Sequence, residues 1–249
     1  MGTGVFEGLL REMERRGALY LVLLDPDGAG PERNASLAAS AESAGADAIL
    51  VGGSLLLRGL VEETVRAVKG AVDLPVIIFP GGAGFVAPGA DAVLFLSLVS
   101  GRNAELLIGE HVRAAPLVKA LCIEPIPTAY MLVESGSTTS VEFMSGTRPL
   151  PRHKPEIAAA HALAAQYLGM RLAFLDAGSG ADEPVPAEMV SAVAAAVDVP
   201  VMVGGGVRTP EAARSLVRAG ARLVVTGDVI ERTGDAGLMA GLAAAVHAR

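Results

Sequence analysis

Short apolar runs alternate along this chain with segments whose apolar positions recur at the spacing of an amphipathic helix. Successive residues within each run are apolar, which is typical of parallel strands buried on both faces of a sheet. The pattern predicts strands at residues 19–24, 46–51, 75–79, 92–96, 129–134, 171–175, 199–203 and 222–225. Eight strands with helices between them predict the α/β class, a (β/α)8 TIM barrel that forms a single domain over residues 1–249.

Helical patterns fill the intervals and also precede the first strand. They cover residues 31–44, 57–70, 104–115, 156–168, 186–197, 210–219 and 229–247. The fifth strand is the least regular, because Pro125 and Pro127 separate two apolar runs and a proline cannot donate to a neighbouring strand. We therefore place that strand mainly in the second run. The long polar stretch that follows, residues 135–155, is predicted to be a functional or mobile loop, and it contains Arg148, Arg152, His153 and Lys154.

Composition narrows the class of protein further. The chain is 51% hydrophobic, yet no run approaches the roughly 20 apolar residues that a membrane-spanning helix needs, so no such segment is predicted. A net charge of −7 without a basic cluster argues against a nucleic-acid partner. The single cysteine, Cys122, excludes an internal disulfide and favours a cytoplasmic location. Cys122 also lies in an apolar run, which predicts a packed core thiol.

Glycine-bearing turns follow the last three predicted strands, at residues 174–181, 203–208 and 225–230. A strand that ends in glycine and turns into a helix leaves free backbone N–H groups beside the positive end of the helix dipole. One such turn is ordinary, but three at successive strand ends match the phosphate site of a TIM barrel. The anion-binding surface is therefore predicted to be local, at the carboxyl ends of these strands.

Polar side chains at other strand ends suggest the chemistry. Asp25 follows the first strand and Ser54 the second, and their oxygens beside a diphosphate could hold Mg²⁺. The alternative is that Asp25 and Asp27 form a turn and Ser54 caps a helix. Asp176 ends the sixth strand next to the predicted phosphate, where a carboxylate is costly unless it accepts a proton. Its alternative role is also capping.

The ordered set of motifs resembles the geranylgeranylglyceryl phosphate synthase family, especially its second group, over nearly the whole chain. The motifs include Leu24-Asp-Pro-Asp27, Val51-Gly-Gly-Ser54, Glu124-Pro-Ile-Pro-Thr-Ala-Tyr130, Gly178-Ser-Gly-Ala181 and Val203-Gly-Gly-Gly206. The resemblance implies a barrel that transfers a prenyl chain from its diphosphate to a phosphorylated glycerol, with Mg²⁺ as cofactor.

The same resemblance implies roles for individual residues. Asp25 and Ser54 hold Mg²⁺, and Asp176 is the catalytic base. The prenyl chain needs an apolar groove, and Tyr130 is a candidate for its wall, with a packing role in the core as the alternative. The remaining positions hold the phosphorylated acceptor, and they are Phe174, Ala177, Gly178, Ser179, Gly180, Gly204, Gly205, Gly206, Gly227 and Asp228. For Asp228, capping of the final helix is the first interpretation. Family members commonly self-associate, so a homo-oligomer is expected.

Two positions depart from the family pattern, and both lie near the acceptor. The family has Tyr-x-Glu where this chain has Phe174-Leu175-Asp176, and it commonly has Gly-Asn where this chain has Gly227-Asp228. An altered acceptor would explain both changes, as in the moenomycin-type branch that joins farnesyl diphosphate to 3-phosphoglycerate. Glycerol 1-phosphate and 3-phosphoglycerate therefore remain alternatives. Two other functions also stay open, a phosphate-binding isomerase or aldolase and a non-catalytic prenyl-phosphate binder.

Overall fold

The computed structural model describes residues 4–248, and its centre is a closed barrel of parallel strands. The strands are β1 (Leu19–Leu24), β2 (Ala48–Gly52), β3 (Val76–Phe79), β4 (Ala92–Leu98), β5 (Glu124–Leu132), β6 (Leu172–Asp176), β7 (Val201–Gly204) and β8 (Leu223–Thr226). Each strand pairs with the next in the chain, and β8 closes the ring on β1. The predicted TIM barrel is confirmed.

Helices surround the barrel and connect its strands. They are α1 (Val5–Arg16), α2 (Pro31–Ser43), α3 (Val61–Lys69), α4 (Glu110–Ala120), α5 (Ser140–Ser145), α6 (Pro155–Tyr167), α7 (Ala187–Ala196), α8 (Pro210–Arg218), α9 (Asp228–Thr233) and α10 (Ala236–His247). A 3₁₀ turn covers Ala83–Phe85, and a π-helical turn over Glu105–Gly109 leads into α4. None of the described helices is both long and apolar enough to cross a bilayer.

Two apolar layers hold this arrangement together. One lies between the strands and the outer helices, and the other fills the inside of the barrel. The inner layer includes Phe6, Leu9 and Met13 of α1, which pack with strand residues such as Leu21 and Leu50. Helix α1 therefore closes the amino-terminal end of the barrel, and the opposite end remains for a site.

Strand β5 begins at Glu124 and ends at Leu132, so it starts before the second run, in which we mainly placed it. The register explains how the strand accommodates two prolines. Pairing of β5 with β6 starts at Thr128 and Leu172, and the carbonyl of Pro127 accepts from the N–H of Arg171 on that same side. Pro125 and Pro127 face the β6 side, where β5 extends beyond the beginning of its neighbour. No ladder donor is lost on that side, because β6 has not yet begun beside the two prolines, while β4 pairs with this part of β5 on the other side.

Two predicted helices have different bounds for local reasons. Helix α3 starts at Val61 instead of 57, because the Asp27 carboxylate accepts the N–H groups of Leu57 and Arg58 and holds them in a loop. The segment at 229–247 is two helices, since the chain is left-handed at Gly234, with φ 59°, and the Asp235 side chain caps α10 through the N–H of Leu238.

Cys122 is exposed, so the prediction of a packed thiol was wrong. The residue lies in the turn between α4 and β5 with φ 56°, a left-handed conformation that directs it away from the strand's buried rows. Because the backbone there belongs to a turn, the apolar run around Cys122 was not strand sequence.

Candidate active site

A polar chamber occupies the carboxyl-terminal end of the barrel. Its lining comes from the ends of β1, β2, β3, β5, β6, β7 and β8 and from several of the loops that follow them. The predicted site residues that it brings together are Asp25, Ser54, Tyr130, Phe174, Asp176, Gly178, Ser179, Gly180, Gly204, Gly205, Gly206, Gly227 and Asp228. Ala177 is the exception, because it is buried in the outer apolar layer and its N–H donates to the Gly204 carbonyl at 3.1 Å.

Glycine turns after β6 and β7 form one wall of the polar chamber. The N–H of Gly178 is already used, since it donates to Asp176 Oδ1 at 2.8 Å. Within residues 4–248, the N–H groups of Ser179, Gly180, Gly205 and Gly206 have no protein acceptor. Such a concave set of backbone donors suits a phosphate group. We call these four residues the phosphate cradle.

Asp176 is buried at the end of β6, with 8% of its surface exposed, and both of its carboxylate oxygens have partners. Gly178 donates to Oδ1, and the hydroxyl of Tyr130 donates to Oδ2 at 2.6 Å. Burial raises the pKa of Asp176, and the two hydrogen bonds oppose that effect by stabilising the charged form. The carboxyl group thus holds a local turn, as a capping residue does, while it faces the chamber with a raised pKa suited to a base.

Asp25 also lines the polar chamber, in a tight turn after β1. Its Oδ1 accepts the N–H of Asp27 at 2.8 Å, so the turn that we considered as an alternative does form. Its Oδ2 lies 3.2 Å from the point where a Cβ on Gly53 would be, directly before Ser54. Burial raises the pKa of Asp25. Ser54 does not cap α3, because that helix begins only at Val61.

Asp228 occupies the first position of α9, but its carboxylate does not cap that helix. It pairs with Arg232 at 2.9 Å, one turn further along, and the cap residue Gly227 has no side chain to offer. The capping interpretation was therefore wrong. Asp228 faces the chamber as a carboxylate neutralised in part by its own helix.

An apolar cavity of about 200 Å³ opens beside the polar chamber, between β3, β4 and α4. Its walls include Phe95, Leu98, Leu106 and Ala114. The cavity and the chamber share five lining residues, namely Gly53, Ser54, Phe79, Tyr130 and Val141. A molecule with an anionic end and an apolar end could therefore occupy both spaces at once.

Three aromatic rings stand at this junction. Phe79, Tyr130 and Phe174 meet edge to face, with ring centroids 5.4 to 6.0 Å apart. This geometry is favourable for aromatic pairs and limits the freedom of each ring. Tyr130 consequently presents its ring to the apolar cavity while its hydroxyl is fixed on Asp176.

Sequence reasoning missed several residues of the site. Glu231 of α9 lines the polar chamber and accepts the N–H of Asp25 at 2.6 Å, and burial raises its pKa to about 7. Arg208 also lines the chamber and donates to the Ala181 and Asp182 carbonyls. His111 lines the apolar cavity, where its Nε2 lies 3.1 Å from the Ser97 hydroxyl. Glu231 could have been predicted from the sequence in one way, because it lies one helical turn after the predicted site residues Gly227 and Asp228.

The predicted functional loop, residues 135–155, divides into two parts. Its first part contains α5, whose Ser140 and Val141 line the polar chamber and whose Met144 lines the apolar cavity. The basic residues of its second part point elsewhere. Arg152, for example, pairs with Glu183 at 2.5 Å, and His153 is exposed outside the linings of both spaces in the described chain.

Taken together, a TIM barrel with a phosphate cradle, a buried carboxylate and an adjoining apolar cavity defines an enzyme that handles phosphorylated and apolar groups side by side. Comparison with known proteins gives the family. Residues 10–245 match the model of the PcrB family, and this chain belongs to that family.

Relatives of known activity support the same assignment. The chain is 49% identical to the geranylgeranylglyceryl phosphate synthase of Thermococcus kodakarensis over 93% of this chain and 92% of that protein. It is 44% identical to the synthase of the same name from Chitinophaga pinensis over 92% and 90% of the two chains. The fold matches that of (S)-3-O-geranylgeranylglyceryl phosphate synthase from Thermoplasma acidophilum, solved with its substrate sn-glycerol-1-phosphate, with a TM-score of 0.92, 38% identity and 99% coverage of both chains. The protein is thus a prenyltransferase of the geranylgeranylglyceryl phosphate synthase type.

Proposed function

We propose that this protein forms an ether between a polyprenyl diphosphate and glycerol 1-phosphate, with Mg²⁺ as cofactor and pyrophosphate as the second product. The observation that carries the proposal is the shared wall of the polar chamber and the apolar cavity. A prenyl diphosphate has an anionic end and a long apolar end, and these two spaces meet at Gly53, Ser54 and Tyr130.

Mg²⁺ fits the charges that line the polar chamber. Among the described residues, five acidic side chains and one basic side chain line it, and the acidic ones are Asp25, Asp27, Asp176, Asp228 and Glu231. A diphosphate beside that many carboxylates needs a cation to offset the repulsion. No group of three or more His, Cys, Asp or Glu in the described chain is arranged to hold a metal ion. This suits Mg²⁺, which binds through one or two protein oxygens and substrate phosphates.

Asp25 and Ser54 are the residues that would hold Mg²⁺, since Oδ2 of Asp25 faces Gly53, directly before Ser54, and both residues line the polar chamber. The ion would neutralise charge on the departing pyrophosphate. The protein's own part is to hold the acceptor phosphate at the phosphate cradle and to position the acceptor hydroxyl by Asp176. That hydroxyl oxygen bonds to the first carbon of the prenyl chain, the bond from this carbon to the diphosphate oxygen breaks, and the hydroxyl proton passes to Asp176.

The charges also favour glycerol 1-phosphate over 3-phosphoglycerate. The second acceptor carries an additional carboxylate, which would need a cationic partner in the chamber. Arg208 is the one basic residue of the described lining, and its guanidinium already donates to two backbone carbonyls. Asp228 would instead repel a second carboxylate. The relative from Thermoplasma acidophilum, which was solved with sn-glycerol-1-phosphate, supports the same choice.

Mass spectrometry of products tests the proposal directly. Farnesyl and geranylgeranyl diphosphates are each offered with both acceptors and Mg²⁺, and pyrophosphate release is followed in parallel. We expect the prenyl ether of glycerol 1-phosphate, and no product after chelation of Mg²⁺. Asp176→Asn should lower kcat/KM by about 10²- to 10⁴-fold, the usual contribution of a general base. Asp25→Asn should abolish prenyl-diphosphate binding in Mg²⁺ while leaving the fold intact.

Each competing function has its own outcome in these experiments. Turnover of a sugar phosphate without any prenyl diphosphate would replace our proposal with an isomerase or aldolase. Binding of a prenyl diphosphate without pyrophosphate release, with either acceptor, would make the protein a binder. A product formed only with 3-phosphoglycerate would overturn our argument from charge. A cytoplasmic location and a homo-oligomeric state remain predictions, which fractionation and light scattering would test.

A further inference from the structure

Glu231 projects from α9 toward the turn that carries Asp25. Its Oε1 accepts the backbone N–H of Asp25 at 2.6 Å. The two elements are neighbours because β1 and β8 pair where the barrel closes, with Val22 opposite Thr226. The contact therefore joins positions 206 residues apart in the chain. It connects the loop after β8 with the turn after β1.

The backbone of Asp25 is held from both sides. Glu231 takes its N–H, while its carbonyl accepts Asn34 Nδ2 at 2.9 Å and the N–H of Gly28 at 3.3 Å. Asp27 then occupies Oδ1 of the Asp25 side chain. Oδ2 faces Gly53, directly before Ser54. The turn thus directs one defined oxygen toward the end of β2.

A carboxylate in this place needs an explanation. Glu231 is half-buried near the carboxylates of Asp25 and Asp228, and like charges in a partly desolvated site repel one another. The Asp25 N–H alone could have been satisfied by an uncharged acceptor or by water. A charge-assisted hydrogen bond is shorter and stronger than a neutral one, so it fixes geometry better.

We propose that Glu231 is a positioning residue, which fixes the Asp25 turn so that Oδ2 of Asp25 is presented to the Mg²⁺ of the bound prenyl diphosphate. This inference rests on the proposed function of Asp25 and Ser54. Glu231 itself acts through the backbone of Asp25 and contacts neither reactant. The acceptor side, at the phosphate cradle, does not depend on it.

Three substitutions separate the parts of this role. Glu231→Ala removes the acceptor, Glu231→Gln keeps an acceptor of the same length without the charge, and Glu231→Asp keeps the charge but is too short to reach. The matched control is Glu211→Ala, an exposed position on α8 outside the chamber lining. Circular dichroism and thermal unfolding verify the fold of each variant.

Equilibrium binding provides a readout independent of turnover. Calorimetry measures the affinity for a non-reactive thiolo-diphosphate analogue of farnesyl diphosphate, at a series of Mg²⁺ concentrations, and separately the affinity for glycerol 1-phosphate. We expect Glu231→Ala and Glu231→Asp to weaken Mg²⁺-dependent binding of the analogue by about 10- to 100-fold, which is what one hydrogen bond to a charged group is worth. Glu231→Gln should lose less affinity than Glu231→Ala but more than the control, because the acceptor remains while the charge that strengthens the hydrogen bond is gone. Glycerol 1-phosphate binding should not change.

The outcomes separate failure of this inference from failure of the proposed function. Absence of Mg²⁺-dependent analogue binding in the parent protein would overturn the proposed function itself. If the parent binds the analogue and the Ala and Asp variants bind it equally well, Glu231 does not position Asp25. Loss in Glu231→Gln as large as in Glu231→Ala, or equal loss of glycerol 1-phosphate binding, would also overturn the inference. If the Ala variant fails to fold, the Asp and Gln variants decide the question.

Discussion

Two glycines of the phosphate cradle have the same backbone conformation in different surroundings, and they permit a matched test. Gly205 has φ 77° and Gly180 has φ 75°, both in the left-handed region. A Cβ on Gly205 would lie 2.6 Å from Gly178 N and 2.7 Å from Asp176 Oδ1, whereas nothing lies within 4 Å of a Cβ on Gly180. Substitution by alanine therefore adds strain at both positions but a clash at only one.

The magnitudes follow from these contacts. An alanine in the left-handed conformation destabilises the folded state by about 1–2 kcal/mol. Replacing glycine also reduces the conformational entropy of the unfolded chain, which stabilises the protein by about 0.4–1 kcal/mol. Gly180→Ala should accordingly be nearly neutral or destabilising by at most about 1.5 kcal/mol. Gly205→Ala must also push apart the backbone beside Asp176, and forced overpacking costs a further ~1–3 kcal/mol. For a chain of this size that difference lowers the melting temperature by about 2–12 °C more.

Differential scanning calorimetry and denaturant unfolding of the two variants measure this difference. The substitutions share residue type and φ, so the difference between them isolates the steric contact at Gly205. A binding measurement with glycerol 1-phosphate should show a larger loss for Gly205→Ala, since Asp176 is displaced as well. Equal destabilisation of the two variants, within about 0.5 kcal/mol, would refute our account of how closely the turns after β6 and β7 approach.

Three further predictions concern the aromatic junction, the apolar cavity and the barrel floor. Tyr130→Phe removes a hydrogen bond that stabilises the charged form of Asp176, so the pKa of Asp176 should rise. The acid limb of the kcat/KM profile should then move to higher pH. An unmoved limb would mean that Asp176 is not the base. Ala114→Phe narrows the apolar cavity, so competition assays should show a preference shifted from geranylgeranyl toward farnesyl diphosphate. An unchanged preference would mean that the prenyl chain does not occupy this cavity. Phe6→Ala should cost about 3–5 kcal/mol of unfolding free energy while kcat stays unchanged, because the ring is 2% exposed inside the barrel; a loss under ~1 kcal/mol would contradict the packing of α1.

Much of the fold could be predicted because its signals are local. Parallel strands buried on both faces give apolar runs that stand out against helical spacing, as in β1 and β2. The failures arose where tertiary contacts decide. The prolines of β5 are harmless only because β6 begins later, and α3 starts late only because Asp27 binds the preceding loop. Neither fact is visible in a single stretch of sequence.

In the candidate site, too, features with a local signal could be predicted and features that depend on tertiary contacts could not. The glycine turns and the strand-end carboxylates could be predicted, since each follows its own strand and the barrel gathers strand ends at one rim. The partnership of Tyr130 with Asp176 joins residues 46 apart, and that of Glu231 with Asp25 joins residues 206 apart. Such pairs depend on register and on closure of the barrel. For Asp228, the helical spacing to Arg232 was present in the sequence, but capping was the more familiar role.

Helix α1 has a consequence for the hydrocarbon tail of a donor. Because Phe6, Leu9 and Met13 obstruct the lower end of the cylinder, no long molecule can thread along its axis. On the proposed function, we expect the tail to leave sideways, past Tyr130 and into the apolar cavity against α4. We then expect selectivity for tail length to depend on α4 together with the outer side of β4, and substitutions on α4 could change it without altering the strand ends that form the polar chamber.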